Sequence, residues 1–235
     1  MNRLTDNYIL KALPDDEYES LLPELEEVTL KVEQVINQPY QPIPYVYFPN
    51  NSMISVVAST PDGQLSEAGV VGREGLLGIG VVLGSDMAPH ENTVQLPGTA
   101  LRMSTKSIRK KFVQCPTLHN LLLRFTYAHI IQLSQTALCN RLHDVRKRLT
   151  RWILMAHDRS DSDVLPLTQE LLSIMLGVNR PTVSTAAIEL KGDGYIKYNR
   201  GIITVLNREG LENFCCDCYS VVITEYERVL KAPAK

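Results

Sequence analysis

The sequence predicts an α+β chain in three parts: an N-terminal antiparallel β-roll of jelly-roll type, a long helix, and a C-terminal winged helix-turn-helix. Three observations carry this expectation. Residues 53–103 hold several short apolar-alternating runs separated by glycine and proline, as in antiparallel barrels and rolls. A helical pattern without a breaker follows Pro116. Residues 165–206 hold two short helical patterns that meet at one glycine, with two short strands behind them. The parts are expected to divide at 1–115, 116–141 and 142–235.

Leu10, Leu13, Leu21, Leu22 and Leu25, punctuated by Pro14 and Pro23, predict short N-terminal helices. Residues 32–47, with three prolines and three tyrosines, read as strand and loop. Residues 53–60 are a strand, Pro61-Asp62-Gly63 is a turn, and 65–71 is the returning strand. Gly72, Gly75, Gly78, Gly80 and Gly84 then fall within thirteen residues. They do not make a phosphate loop, because no Gly-Lys-Ser/Thr closes the run; corners of a rolled sheet explain them. Residues 93–103 alternate well enough for one or two further strands. A metalloenzyme roll would need several histidines with a carboxylate, and the strand region offers only His90 beside Glu91. No catalytic residue and no metal site are expected.

Residues 104–112 predict a short basic helix. In the long helix, Leu118, Leu121, Leu122, Phe125, Ala128, Ile130, Leu133, Ala137 and Leu138 cover more than one stripe. One face is expected on the roll and another on a second copy of the chain, with Phe125 and Leu133 as candidates for the second; a helix packed only within its own chain is the alternative. From residue 142 a further helix turns Val145, Leu149, Trp152, Ile153 and Ala156 inward. Arg146, Lys147, Arg148 and Arg151 are expected mostly outward, as a solvated face or within reach of phosphates.

Thr168 caps the first helix of the pair, and Gly177 ends it. Asn179 caps the second, and Pro181 suits its first turn. Val183, Ala186, Ala187 and Leu190 form its apolar face, which leaves Arg180, Thr182, Ser184 and Thr185 on the flanks and outer side. In such pairs the second helix enters the DNA major groove with its N-terminal residues at base edges. Residues 195–198 and 202–206 read as a hairpin turning at Asn199-Arg200-Gly201, a wing that places Arg200 toward the phosphate backbone.

Net charge is only −2, but its distribution is uneven. Residues 1–100 carry 4 Lys/Arg against 14 Asp/Glu, and residues 101–210 carry 17 against 8. A polyanionic partner therefore belongs to the back half. No apolar run suffices to span a bilayer, and the polar start is no signal peptide, so a cytoplasmic chain without a membrane partner is expected. Five cysteines without a regular framework fit a reducing compartment. Cys215, Cys216 and Cys218 lack a neighbouring histidine in the sequence and read as small apolar residues of a C-terminal helix, with a metal or thiol redox sensor as the alternative.

A glycine-rich roll, a long helix, Arg-Leu-Thr-Arg-Trp-Ile-Leu, and then Leu-Thr-Gln-Glu-Leu-Leu with Leu-Gly-Val-Asn-Arg-Pro-Thr-Val-Ser together resemble the Crp/Fnr transcription regulators. The resemblance spans nearly the whole chain and is most specific at 165–211. It implies a roll that senses an effector, a two-fold dimer through the long helix, and a winged helix-turn-helix on a palindromic site in double-stranded DNA. RNA polymerase is a further implied partner if the chain activates. By position, Arg180 is similar to the family's base-reading arginine and Thr168 to its phosphate-contacting residue. Pro181 and Thr185 stand where cyclic-AMP-responsive members have a glutamate and a second arginine, so a different operator is expected. The effector segment departs further. Arg73 and Glu74 match the nucleotide-binding pattern only loosely, and the later segment offers Glu91 with no arginine between Arg73 and Arg102. Arg73, Glu74 and Glu91 are the candidate effector-pocket residues, with cyclic AMP not expected among the ligands. An iron–sulfur cluster of the Fnr kind is not expected either, since the first cysteine is Cys115. No cofactor is expected. Two other classes stay open: a ligand-binding module whose helix-turn-helix contacts protein, and a β-roll metalloenzyme.

Overall fold

The structure is a computed structural model that describes residues 5–230. Helices α1 (Tyr8–Lys11) and α2 (Asp15–Leu21) lead into strands β1 (Glu26–Leu30), β2 (Val35–Asn37), β3 (Tyr45–Pro49), β4 (Met53–Ser59), β5 (Leu65–Val71), β6 (Glu91–Leu96) and β7 (Gly98–Ser104). Helices α3 (Thr105–Gln114), α4 (Pro116–Leu142) and α5 (Val145–His157) follow. The rest is β8 (Val164–Leu165), α6 (Gln169–Leu176), α7 (Arg180–Gly192), β9 (Ile196–Asn199), β10 (Ile202–Val205), α8 (Arg208–Phe214) and α9 (Cys218–Leu230). Among the described residues, no helix is long and apolar enough to cross a membrane.

The roll is two antiparallel sheets, β1-β7-β3 and β2-β6-β4-β5. Its inner faces meet over Leu30, Val46, Phe48, Val71, Leu76, Val94 and Met103, all buried. Burying each such side chain contributes roughly 1.5–3 kcal/mol, so the interior is a packed core. Asn7 ties the N-terminus to this core: its amide donates to the carbonyls of Pro49 (3.1 Å) and Gly75 (2.8 Å).

Helix α4 begins on Pro116, which needs no N–H partner. Cys115 supplies no side-chain cap, and the buried carboxylate of Glu17 does so from a distance, accepting from the N–H groups of Thr117 (2.8 Å) and Leu118 (2.9 Å). One face of α4 buries Leu118, Leu121, Leu122, Phe125 and Ala128. The approach to the roll is close: a Cβ at Gly75 would overlap the Phe125 ring, so glycine is required there. Leu133 reaches across Gly69. Phe125 and Leu133 therefore face the roll, and the reading that put them against a second copy is corrected. The exposed apolar residues are instead Leu123, Tyr127, Ile130, Leu138 and Leu142. Their spacing draws one stripe along the opposite side of α4.

Helix α9, grouped by sequence with the DNA-binding region, returns to lie on α4, where Val222, Tyr226 and Val229 join the core of the roll. The basic residues of α5 also differ from expectation. Arg151 is buried, Arg146 pairs with Glu189 and Asp193 and covers the Phe214 ring, and Arg148 donates to the Leu176 carbonyl. These guanidiniums hold the C-terminal domain together and do not form an outward phosphate face.

A second core joins the roll to the helices behind it. Met53, Val57, Val70 and Leu96 pack with Trp152, Leu172, Met175 and Leu176. Within this joint Glu67 accepts from the Trp152 indole N–H (2.9 Å) and contacts Ser55, whose hydroxyl lies 3.5 Å from the Met175 sulfur. Burial pushes the Glu67 carboxyl up to about 7 from 4.5, against smaller opposing effects of Ser55, Trp152 and two arginines. The fold thus favours the protonated form. The stability it confers is complete below about pH 4.5 and is lost as pH rises through about 7, on the order of 3 kcal/mol in all. Thermal melts should show the wild type losing stability between pH 5 and 8 relative to Glu67→Gln, which cannot ionise. Parallel pH profiles for the two proteins would refute this.

Candidate nucleic-acid interface

Helices α6 and α7 are separated by three residues, and the turn depends on Gly177 at φ +59°. A side chain there would be strained, whereas glycine adopts this left-handed conformation freely. The predicted caps form: the Thr168 hydroxyl oxygen accepts from the Leu171 N–H (3.1 Å), and the Asn179 side-chain Oδ1 accepts from the Thr182 N–H (3.0 Å) and hydroxyl (2.7 Å). Val183, Ala186, Ala187 and Leu190 are buried, which turns the opposite side of α7 outward.

On that side Arg180, Pro181, Thr185 and Ile188 are exposed, with Ser184 half-buried among them. Asn179 is exposed but spends its oxygen on the cap, as does Thr182 its hydroxyl hydrogen. The Thr185 hydroxyl donates back to the Pro181 carbonyl (3.1 Å). Arg180 has one acidic neighbour: its Nη1 lies 3.2 Å from a carboxylate oxygen of Glu170, on the first turn of α6. Both side chains are more than 60% exposed, so this pair holds the guanidinium weakly and yields to a stronger acceptor.

The wing forms as β9 and β10, joined by a two-residue turn with Arg200 at φ +46° and Gly201 at φ +80°. This places the Arg200 side chain at the exposed tip. Strand β8 adds a third strand beside β10, which the sequence did not indicate. Gly201 abuts Thr168, and the Tyr198 hydroxyl donates to the Leu167 carbonyl (3.2 Å). The start of α6, the start of α7 and the wing tip therefore form one continuous surface carrying Thr168, Arg180 and Arg200. Glu170 and Ile188 also belong to it and were missed. The only sequence signal for Ile188 is its place eight residues after Arg180, on the same face of α7.

The three effector candidates do not come together. Glu74 is buried against Arg159, with Nη2 at 2.6 Å and Nε at 3.0 Å from the same oxygen. Arg73 is held by Asp161 (2.6 Å) and the Arg159 carbonyl (3.2 Å). Both border a groove of about 1130 Å³ between the roll, α4 and α9. Glu91 lies elsewhere, on β6, paired with Val57 and accepting from the Thr93 hydroxyl. The physical reason is topological: β6 runs on the far side of β4 from β5, while Arg73 and Glu74 leave β5 toward α5.

The cysteines also find a different setting from the one read in sequence. Cys216 and Cys218 meet Cys139 and His143 at the end of α4, so a histidine does stand beside the thiols. Cys139 and His143 are four residues apart on a helix, a spacing visible in the sequence. What brings them to the C-terminal cysteines is the return of α9 onto α4.

The model of the Crp-like helix-turn-helix domain matches residues 147–214. No curated protein sequence matches the chain. Among solved structures, FixK2 from Bradyrhizobium japonicum is similar over 82% of this chain and 98% of its own, with 15% identity and a TM-score of 0.66. A transcriptional regulator assigned to the Crp/Fnr family from Eubacterium rectale is similar over 87% and 96%, at 12% identity and the same TM-score. The c-di-GMP-responsive global regulator CLP of Xanthomonas campestris is similar over 82% and 99%, at 15% identity and a TM-score of 0.63. At these identities the likeness is one of fold.

Proposed function

We propose that this chain, which has the Crp/Fnr-type regulator fold with a Crp-like helix-turn-helix domain, is a cytoplasmic homodimer that binds a palindromic DNA site and regulates transcription. The observation that carries the reading is the single surface on which Thr168, Arg180 and Arg200 lie together. Its parts match the divisions of DNA recognition. Arg180, at the N-terminal end of α7, has the five-donor fork that guanine O6 and N7 accept. Its exposed pairing with Glu170 is weak enough for a base to replace the carboxylate. Thr185, Ser184 and Ile188 follow along the helix, and exposed Ile188 suits a thymine methyl. Thr168 and Arg200 flank the helix, where the phosphates of a duplex would run. An activating role would add RNA polymerase as a partner.

The test is selection of sites from random duplex DNA, followed by titration of the selected site. Arg180→Ala should cost roughly 1–3 kcal/mol and relax preference at one base position per half-site. Arg200→Asn, which keeps a residue tolerant of the left-handed backbone, should weaken specific and non-specific binding alike and reduce the salt slope by about one. Half-sites should be centred about 34 Å apart, one helical turn. Identical behaviour of the two variants would refute the division of roles, and binding to no duplex would refute the function.

The reading extends to the effector. Cyclic AMP should not bind in the low micromolar range, because Glu74 is committed to Arg159, Arg73 to Asp161, and the inside of the roll to apolar side chains. A buried cyclic phosphate without a cation or several donors costs several kcal/mol. Calorimetric titration decides this, and a low-micromolar dissociation constant would overturn it.

A further inference from the structure

We propose that Cys139, His143, Cys216 and Cys218 bind one Zn²⁺ ion. The four ligand atoms, three Sγ and one imidazole nitrogen, all lie within 4.8 Å of one another. Cys139 Sγ is 3.7 Å from Cys216 Sγ, and Cys218 Sγ is 3.6 Å from His143 Nδ1. A tetrahedral ion with bonds of about 2.3 Å to sulfur and about 2.0 Å to nitrogen requires edges of about 3.8 Å between sulfurs and about 3.5 Å between sulfur and nitrogen. The two observed edges agree with both values. The set is too compact to surround several irons, and it has the ligand number and type of a closed structural zinc site.

Local structure explains how four ligands converge. Cys139 and His143 share one face of the last turn of α4, and the His143 N–H closes that turn on the Cys139 carbonyl (3.1 Å). Cys216 lies within the short connection between α8 and α9, and Cys218 is the first residue of α9. The return of α9 along α4 brings the pairs together. Cys139, Cys216 and Cys218 are buried and His143 is half-buried, so the site has little access to water.

A second observation concerns charge. Arg151 is 5% exposed; its Nη2 donates to the Thr136 hydroxyl (3.1 Å), one turn before Cys139, while its Nε and Nη1 are buried without a hydrogen-bond partner. A buried guanidinium is costly unless an opposite charge lies near it. Three thiolates, a neutral imidazole and Zn²⁺ sum to one negative charge, which compensates Arg151. Cysteine sulfurs bind the ion as thiolates, so affinity falls with acid.

The position gives the ion a task. His143 is the C-cap residue that ends α4, immediately before Asp144 caps α5, and the C-terminal cysteines join the winged domain to α9. The ion would staple the hinge between α4 and the DNA-binding domain.

Metal analysis of the full chain purified with its thiols reduced should find about one zinc per chain. Exchange for Co²⁺ should give the strong visible absorption of a tetrahedral thiolate complex, displaced by added Zn²⁺. Cys216→Ser and His143→Ala should each lower apparent zinc affinity at least about a hundredfold, exceeding the loss of an outer partner. Cys115→Ser, whose thiol lies in the core of the roll, should retain the ion. The Co²⁺ spectrum of the wild type stands even if a variant fails to fold. A folded, reduced wild type that takes up neither Zn²⁺ nor Co²⁺ would overturn the proposal. So would full zinc retention in both ligand variants, or another metal held in place of zinc.

Discussion

Ile130→Asp is expected to convert the protein to a monomer at micromolar concentration and to abolish specific DNA binding. Ile130 lies at the middle of the exposed stripe formed by Leu123, Tyr127, Leu138 and Leu142, and is itself 53% exposed. A helix that already buries one face on the roll and another under α9 has no use for a third apolar face unless a second copy covers it. Under two-fold symmetry each substitution acts twice at one interface. Desolvating two carboxylates without partners costs roughly 4 kcal/mol or more, about a thousandfold in dissociation constant. DNA affinity should fall with it, since a monomer contacts one half-site. Sedimentation and titration of the selected site check both. A dimeric Ile130→Asp protein with wild-type affinity would remove α4 from the interface. Phe125→Asp is no substitute, because Phe125 is fully buried against the roll and the change would unfold it.

The second large effect concerns Arg159→Met, expected to destabilise the fold by about 3–5 kcal/mol. Arg159 is 2% exposed and Glu74 6%, and the guanidinium makes two hydrogen bonds to one carboxylate oxygen while Nη1 donates to the Met155 carbonyl (2.7 Å). Removing the arginine leaves a buried carboxylate with the Gly72 N–H (3.1 Å) as its remaining hydrogen-bond donor among the described residues. At 2–4 °C per kcal/mol for a chain of this size, the melting temperature should drop by about 10 °C. Glu74→Gln in the Arg159→Met background should recover part of the loss, because the stranded charge is then gone. A loss under about 1 kcal/mol, or no recovery in the double variant, would show that this pair does not fasten the end of α5 to the roll.

Much of the winged domain was legible because its signals are local. Thr168 and Asn179 cap helices through atoms two or three residues away, and Gly177 is fixed by a backbone angle. The Arg200-Gly201 turn needs only its own two residues and the strands beside them. The surface roles of Arg180 and Arg200 follow from helix period and turn type. The hairpin strands β4 and β5 were found for the same reason, since alternation and turn residues lie within one hairpin, whereas β1, paired with the distant β7, was missed.

What the sequence by itself determined, then, is most of the helices and hairpins but not β1, β8 or α8, because caps, turns and periodicity act within a few residues. Only the tertiary structure decided which apolar residues of α4 meet the roll and α9 and which stay open, since leucines stand among both the buried and the exposed ones. It also turned Arg151 inward, separated Glu91 from Arg73 and Glu74, and carried Cys139 and His143 to cysteines more than seventy residues away. Those outcomes depend on contacts between elements distant in sequence, and helix or strand periodicity carries no information about which distant surface will cover a face.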